Sequence, residues 1–312
     1  MATQNNKETV NTVALFNEAL DSLVSKLKQD RNILAAILFG SLSHDTVWKK
    51  SDIDIMLVGR DEKKPIKHFA LVENGVNIHT TLYPRSKFKQ ALEGSLQGSF
   101  MHSSFSKSRL LFSLDETLNE YYQEGFRMGA KDRAAQLLSH AQTAIYYLAK
   151  AEKWFYTRKD FAYSFLWIMH CVEALARIEA VSHSEIVARE VLQQAVALNP
   201  DFFNSMYTDL IHVRKDEKLI KHSLSNINRY LDERQELLFN PILDYLSEAG
   251  GIRTTTELDA YFSKTVQADS LAMAYEWLSD KGVIQKLPSP LRLTEKSLVT
   301  VDEAAYYYDS DR

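Results

Sequence analysis

The sequence contains very little cysteine, glycine and proline. Its single cysteine, Cys171, excludes a disulfide framework and a zinc site built from cysteine ligands, and it fits a reducing cytosol. Ten glycines and six prolines in 312 residues argue against a disordered or linker-rich chain. Because 45% of the residues are hydrophobic and 25% are charged, we expect a globular, mainly helical protein.

Recognisable targeting and membrane signals are missing as well. The N-terminal segment lacks the apolar core and small-residue cleavage site of a secretory signal peptide. No uninterrupted apolar run reaches the ~18 residues that a membrane span needs. We therefore expect a cytoplasmic protein that does not associate with a membrane.

The net charge of −4 is small, but it is unevenly distributed. Residues 1–112 carry 15 basic and 11 acidic side chains, whereas residues 113–250 carry 15 and 20, and residues 251–312 carry 7 and 10. Only the first block is therefore positive. It is the block best suited to an anionic ligand.

Hydrophobic patterning divides the chain into three predicted domains and indicates an α+β fold. Residues 1–113 combine an opening amphipathic helix with short apolar or alternating strands, which predicts a small mixed sheet. Residues 114–250 have apolar side chains at helical spacing and predict an all-α bundle that ends at Gly250-Gly251. Residues 251–312 show two helices followed by a β-ribbon, the pattern of a winged helix-turn-helix.

Some local expectations are more specific. Asn74-Gly75 between two β-rich segments predicts a tight hairpin. Residues 184–198 and 224–249 each predict one continuous helix. The segment 283–294, VIQKLPSPLRLT, predicts a strand, a proline-containing turn and a second strand.

Two acidic residues in the first domain carry the strongest chemical signal. Asp52 and Asp54 are two positions apart in Ser-Asp-Ile-Asp-Ile, so on a strand their carboxylates project from one face. Adjacent carboxylates repel each other unless a cation compensates them. Paired oxygen ligands with room for phosphate and water describe a Mg²⁺ site.

A Gly-Ser pair precedes the two aspartates at the end of an apolar strand. Gly40 would let the backbone approach a phosphate closely, and Ser41 offers both a hydroxyl and an N–H. Together, these four residues predict a cradle for a triphosphate and its metal.

The order of helix, strand, Gly40-Ser41 and then Asp52-Ile53-Asp54 resembles the nucleotidyltransferase domain of the DNA polymerase β superfamily. The resemblance covers about residues 10–113. It implies that Asp52 and Asp54 hold Mg²⁺ and that Gly40 and Ser41 hold the phosphates of a nucleoside triphosphate substrate. The full layout is similar to aminoglycoside nucleotidyltransferases and to nucleotidyltransferase-like proteins of Gram-positive bacteria that end in a helical substrate-binding domain and a winged helix.

The third carboxylate of that superfamily has no counterpart in the expected strand. Asn77 and His79 have the apolar flanking that it requires, and neither is an acid. His79 could ligate a metal or accept a proton, whereas Asn77 could offer only a neutral carbonyl oxygen. Glu73 is the nearest acid, but it adjoins the hairpin turn. Without this carboxylate, the site could bind a nucleotide and transfer it slowly or not at all.

Four further residues are candidates, and two interpretations apply to the lysine pair and to Glu173. Lys49 is a candidate nucleotide contact together with Ser51, and Lys49 and Lys50 either steer a triphosphate or form a solvated charge pair. Glu173 is either a general base for an acceptor hydroxyl or part of a buried polar network with His170 and Arg177.

The sequence of the tail bears on its partners. The second helix of the predicted winged helix contains one lysine and three acids, so DNA binding is not expected and a protein partner is favoured. Lys286 and Arg292 would be the residues that contact DNA if it did bind.

These observations predict Mg²⁺-dependent transfer of a nucleoside monophosphate from a nucleoside triphosphate to a hydroxyl of an unidentified acceptor. The alternative is a catalytically inactive nucleotide-binding regulatory protein that acts through its winged helix. A third hypothesis is an antitoxin-like module that modifies or masks another protein.

Overall fold

A computed structural model of the chain describes residues 2–44, 47, 50–61, 66–95, 108–124, 129–264, 266 and 270–309. The chain forms two compact units, residues 1–128 and residues 129–312. The first is an α+β unit with a mixed five-stranded sheet. The second is a helical region followed by a small antiparallel sheet.

The sheet of the first unit has the order β3-β4-β2-β1-β5, in which β2 and β4 are parallel and the other neighbours are antiparallel. Its strands are β1 (Ile33–Phe39), β2 (Ile53–Gly59), β3 (Lys67–Glu73), β4 (Val76–Pro84) and β5 (Arg109–Ser113). The unit also contains helices α1 (Ala2–Leu27), α2 (Arg85–Ser95) and α3 (Glu116–Glu124).

The two faces of this sheet support different helices. Helix α1 packs on one face, where its buried Phe16 and Leu20 join Leu38, Ile53 and Ile55 of the strands. Helices α2 and α3 pack on the other face, where the buried residues are Leu34, Ala35, Ile37, Met56, Val58, Phe88, Leu92, Leu118 and Tyr122. Because successive strand residues alternate between faces, Asp54 lies on the α2 and α3 side and its neighbours Ile53 and Ile55 lie on the α1 side.

The hairpin prediction is confirmed. Asn74 and Gly75 connect β3 to β4 and have φ values of 49° and 76°. Positive φ at both central residues matches the twist of the flanking strands, which is why Asn-Gly is favoured in two-residue hairpin turns.

The second unit is built mainly from helices. They are α4 (Ala130–Lys153), α5 (Phe161–Ser182), α6 (Val191–Leu198), α7 (Pro200–Phe203), α8 (Asp209–His212), α9 (Glu217–Asp232), α10 (Gln235–Ala249), α11 (Thr255–Phe262) and α12 (Ala272–Asp280). Helices α4 and α5 pack closely, and the Ser164 hydroxyl of α5 donates a hydrogen bond to the Ala151 carbonyl of α4 at 2.9 Å. Asp160 caps α5, because its side chain accepts a hydrogen bond from Tyr163 N–H at 2.9 Å.

Two of the predicted continuous helices are wrong. Helix α6 begins only at Val191, because α5 ends in a turn in which Ser184 has a positive φ of 60° and Glu185 N–H donates to the Ala180 carbonyl. The segment 224–249 is split between α9 and α10, and Arg234 between them adopts a non-helical conformation. Apolar periodicity continues across both interruptions, so it does not reveal them.

Helix α5 is long and apolar enough, by length and composition, to cross a membrane. Polar and charged residues such as Glu173 and Arg177 interrupt it, so no uninterrupted apolar run in it reaches ~18 residues. Its buried residues include Ile168, Cys171, Val172 and Leu175, and α4 packs along it. Core helices of globular proteins meet the same criterion.

The C-terminal sheet has the order β6-β8-β7, with β6 (Arg253–Thr254), β7 (Gln285–Leu291) and β8 (Val301–Tyr307). The predicted proline turn is wrong, because Pro288 and Pro290 lie within β7. Strand β7 is an edge strand of this sheet, where a missing N–H is tolerated.

The tail and the helical region belong to the same compact unit. The Gln142 side chain of α4 donates to the Ser270 carbonyl at 3.1 Å and accepts from Ala274 N–H at 2.9 Å. The domain boundary after residue 250 stays a prediction.

Candidate active site

The candidate site lies at the end of the first sheet where β1 ends and where β2 and β4 begin. Asp54 pairs in register with Phe39 of β1 and with His79 of β4. Side chains of paired neighbours project from the same face, so Asp54 and His79 lie side by side. Both flanking residues of Asp54, Ile53 and Ile55, are fully buried on the opposite face, and this fixes the orientation of Asp54.

Gly40 makes a very close contact with Asp54. A Cβ atom at Gly40 would lie 2.3 Å from Asp54 Oδ2, and Gly40 has a φ of +75°. Both the close approach and the left-handed backbone conformation require glycine. The residue that sequence reasoning assigned to phosphate binding therefore also makes room for an acidic side chain.

The turn after Gly40 is held by Ser43, which sequence reasoning did not single out. Its hydroxyl donates to the Gly40 carbonyl at 2.7 Å, and its backbone N–H donates to the same oxygen at 3.2 Å. Ser41 begins this turn, a 3-10 helix over Ser41–His44, and is partly buried. The Gly40-Ser41 backbone thus turns directly beside Asp54.

Asp52 and His79 lie close together and are open to solvent. The His79 Nε2 atom is 3.7 Å from Asp52 Oδ2, and their side chains are 61% and 40% exposed. The structure therefore groups Asp52, Asp54 and His79 beside Gly40, and it leaves two of these side chains accessible to a ligand.

Glu73 is not part of this group. Its carboxylate accepts hydrogen bonds at 2.7 Å from the Ser22 hydroxyl and the Lys26 ammonium of α1, on the opposite face of the sheet from Asp54. These hydrogen bonds lower the pKa of Glu73, with Lys26 the larger cause. Glu73 therefore connects α1 to β3 and cannot act as the third carboxylate.

Asn77 lies on the same face as His79, two positions earlier on β4, and is exposed. Within the described ranges, no three His, Cys, Asp or Glu side chains form a group that could hold a metal ion. Asp52, Asp54 and His79 are thus neighbours, with His79 beside Asp54 in the strand register, but they do not form such a group.

The remaining candidates in the first unit lie before β2. Ser51 directly precedes Asp52 and is partly buried, and Lys50 is exposed. Lys49 lies outside the described residues.

Glu173 belongs to the second unit and is placed on α5. Its carboxylate forms a 2.8 Å ion pair with Arg177 one turn later, and the two side chains are 44% and 36% exposed. The His170 ring instead packs against the rings of Tyr147 and Trp167, with centroid distances of 5.4 and 5.7 Å. The expected buried network of three residues is therefore wrong: the ion pair is local to one helix and half-exposed.

Comparison with known proteins agrees with this geometry. Residues 21–117 match the family model described as polymerase beta, nucleotidyltransferase. These residues form a polymerase β nucleotidyltransferase domain. The match includes β1 to β5 and all of the grouped site residues, and it ends near the start of α3.

Similarity over the rest of the chain concerns the fold. The crystal structure of a nucleotidyltransferase-like protein from Exiguobacterium sibiricum 255-15 matches with a TM-score of 0.65 and 17% sequence identity, over 93% of this chain and 98% of that chain. A comparison with curated proteins finds no match. The arrangement of a nucleotidyltransferase domain followed by a helical region is thus shared with a solved structure at low sequence identity.

Nucleotidyltransferases of this family typically use a divalent metal and a nucleoside triphosphate. Two of the residues present suit such a metal, although no group of three metal-ligating side chains is found among the described residues. Asp52 and Asp54 supply the hard oxygen ligands that Mg²⁺ prefers. Because residue 40 is glycine, only backbone atoms lie next to the Asp54 carboxylate at this point. A phosphate would need access to the same place.

Proposed function

We propose that the nucleotidyltransferase domain transfers a nucleoside monophosphate from a nucleoside triphosphate to a hydroxyl of an acceptor. The observation that carries the proposal is the contact between Gly40 and Asp54, which joins the Gly-Ser turn to the aspartate pair in one site. A bound Mg²⁺ would neutralise triphosphate charge and orient the phosphates for in-line displacement. Asp52 and Asp54 would hold this ion, and Gly40, Ser41 and Ser51 would contact the phosphates.

His79 would take the role of the missing third carboxylate as metal ligand or general base. As a neutral imidazole it can ligate a metal or accept the proton of the attacking hydroxyl, and the adjacent Asp52 carboxylate would stabilise the imidazolium that results. Glu173 is retained as a candidate base in the helical region, where an acceptor would bind. Lys49 is retained as a candidate phosphate contact. We expect the protein to act in the cytoplasm.

Pyrophosphate release tests this proposal directly. The purified chain should release pyrophosphate from at least one of the four nucleoside triphosphates in the presence of Mg²⁺ and an acceptor mixture. Asp52→Asn combined with Asp54→Asn should lower this rate by about 100-fold or more, because the metal contributes several kcal/mol of charge stabilisation. Asp21→Asn on α1, an exposed aspartate, is the matched control and should leave the rate unchanged.

The role of His79 can be tested separately by restoring the acid. His79→Asp should keep or raise the rate, and it should lower the Mg²⁺ concentration that gives half-maximal activity, because a carboxylate binds Mg²⁺ better than an imidazole. His79→Ala should lower the rate. The same acid two residues away, Asn77→Asp, serves as the control. If His79→Ala has full activity, His79 has no role in transfer.

A regulatory function is the second candidate, and the absence of a third carboxylate among the described site residues favours it. In this function, the domain binds a nucleotide without transferring it, and the C-terminal region conveys the bound state to a partner. Nucleotide binding with no turnover in the acceptor mixture would support this function. No nucleotide binding would exclude both.

We interpret the C-terminal region as a winged helix, from the succession of β6, α11, α12, β7 and β8. A protein partner suits it better than DNA. Lys286, a basic residue of β7, already donates to the Glu276 carboxylate of α12 at 2.6 and 2.8 Å, so its charge is compensated within the protein. Because DNA affinity depends on uncompensated lysine and arginine, we expect no salt-sensitive DNA binding.

A further inference from the structure

A cavity in the second unit is separate from the nucleotide chemistry proposed above. It has a volume of about 410 Å³ and lies between the segment that contains α7 and the C-terminal half of α9. Small-molecule sites commonly occupy ~300–1,000 Å³. The lining residues used below are Asp201, Phe202, Ser205, Asn226, Arg229 and Tyr230.

One side of the cavity is aromatic and rigidly held. The rings of Phe202 and Tyr230 are 4.7 Å apart, and the Arg234 guanidinium lies 3.9 Å from the centre of the Tyr230 ring. The Tyr230 hydroxyl donates to the buried Glu179 carboxylate at 2.6 Å. Burial and the Glu179 charge raise the pKa of Tyr230, so this hydroxyl stays neutral and keeps donating.

The chain segment that supplies Phe202 continues into a local departure from α-helical geometry. Residues Asn204–Thr208 form a π-helical turn between α7 and α8, and Ser205 of this turn lines the cavity. Such turns often occur at functional sites, because they redirect side chains at a cost in helix stability.

Two opposite charges in this cavity are not paired with each other. Arg229 and Asp201 are both exposed to solvent at the cavity, and among the residues that the structure describes neither forms an ion pair within 4.0 Å. Arg229 is instead oriented by the side-chain oxygen of buried Asn226, to which it donates at 3.0 Å. By contrast, Arg234 lies within 3.8 Å of Glu179 and 3.6 Å of Glu233.

We propose that this cavity binds a free amino acid with an apolar or aromatic side chain. Arg229 would bind the carboxylate, Asp201 would bind the ammonium group, and the partly exposed ring of Phe202, supported from behind by the buried Tyr230 ring, would contact the side chain. Charge complementarity favours a zwitterion, because the lining carries two carboxylates, Asp201 and Glu233, as well as two guanidinium groups, Arg229 and Arg234. Nothing in this binding requires a nucleotide or a metal.

Calorimetric titration of the full chain with L-phenylalanine tests the proposal. Two analogues separate the charges: N-acetyl-L-phenylalanine lacks the ammonium group and L-phenylalaninamide lacks the carboxylate. Each should bind at least about tenfold more weakly than the free amino acid, because each loses one charge-assisted contact. Inorganic phosphate should not compete.

Two variants connect the binding to the residues named. Arg229→Gln should raise the Kd for L-phenylalanine about tenfold but change the Kd for L-phenylalaninamide little. Asp201→Asn should also raise the Kd for L-phenylalanine about tenfold, but it should change the Kd for N-acetyl-L-phenylalanine little. Arg214→Gln, at an exposed arginine of the same unit, is the control. The proposal is overturned if L-phenylalanine, L-tyrosine and L-leucine all fail to bind at millimolar concentration. It is also overturned if both analogues bind as tightly as the free amino acid.

Discussion

Gly40 illustrates how one residue can meet two separate structural requirements. Gly40→Ala would introduce a Cβ atom 2.3 Å from Asp54 Oδ2 and place alanine at a φ of +75°. The backbone change alone costs ~1–2 kcal/mol. The clash should add to this and displace the Asp54 carboxylate. We therefore expect a lower free energy of unfolding for the first unit and a loss of Mg²⁺-dependent nucleotide binding, measured by urea denaturation and calorimetry.

Gly75 provides a matched control for this prediction. Its φ of +76° is almost the same, but a Cβ atom there would meet nothing within 4 Å. Gly75→Ala should therefore show only the backbone cost and should bind nucleotide normally. If the two variants lose equal stability and both bind nucleotide, the close contact between Gly40 and Asp54 contributes to neither stability nor nucleotide binding.

His140 of α4 makes the second unit sensitive to acid. Burial lowers the pKa of His140 from 6.5 to about 4, and the positive charge of Arg177 contributes. Within the described part of the chain, its Nε2 atom has no hydrogen-bond partner. The unfolded chain thus binds a proton near pH 6.5 that the folded unit binds only near pH 4. Stability is complete above pH 6.5 and falls between these values, by about 3 kcal/mol in all.

Urea denaturation at pH 6.5 and pH 4 checks this expectation. His140→Gln should lose less stability over the interval than the unchanged chain, because the glutamine side chain does not titrate. His212→Gln, at an exposed histidine of the same unit, should keep the original pH dependence. Equal pH dependence in all three proteins would contradict the assignment.

At the scale of single elements, helix α11 depends on its N-terminal capping box. The Thr254 hydroxyl accepts from Glu257 N–H at 3.2 Å, and the Glu257 carboxylate accepts from Thr254 N–H at 2.9 Å. Thr254→Ala removes the first hydrogen bond and should lower the free energy of unfolding by ~1 kcal/mol. Thr256→Ala, within the helix and exposed, should have a smaller effect. Far-UV circular dichroism in urea measures both.

Elements whose sequence signal is local were predicted well. The hairpin at Asn74-Gly75 and the small mixed sheet of the first unit follow from turn chemistry and from short apolar or alternating segments. The break between α9 and α10 and the passage of β7 through two prolines were not predicted. The course of β7 depends on its sheet, because a proline is acceptable only on an edge strand, and edges exist only in the assembled sheet.

At the scale of the whole molecule, the single cysteine becomes a specific probe. Cys171 is fully buried in α5, and its thiol donates to the Ala144 carbonyl of α4 at 3.3 Å. Burial raises the pKa of this thiol, with a smaller contribution from Glu152, so little thiolate is available. A thiol reagent should not label the native chain. In urea, labelling should follow the unfolding transition of the second unit.

An exposed cysteine provides the reference rate for this experiment. Ser225→Cys on α9 introduces a thiol at an exposed position, and it should react at once in native buffer. Rapid labelling of Cys171 without denaturant would mean that the second unit opens far more readily than its packing implies.

The sequence by itself determined the α+β class of the first unit and its hairpin, and it predicted a phosphate and metal motif at Gly40, Asp52 and Asp54. Each of these rests on local chemistry, such as period, turn residues and the two-residue spacing of carboxylates. The tertiary structure decided which other side chains lie next to these residues. It placed His79 beside Asp52 and moved Glu73 to the other face, because strand register fixes the face of every side chain. It also brought Asp201 and Arg229, 28 positions apart in the sequence, to one cavity through helix packing that no local pattern records.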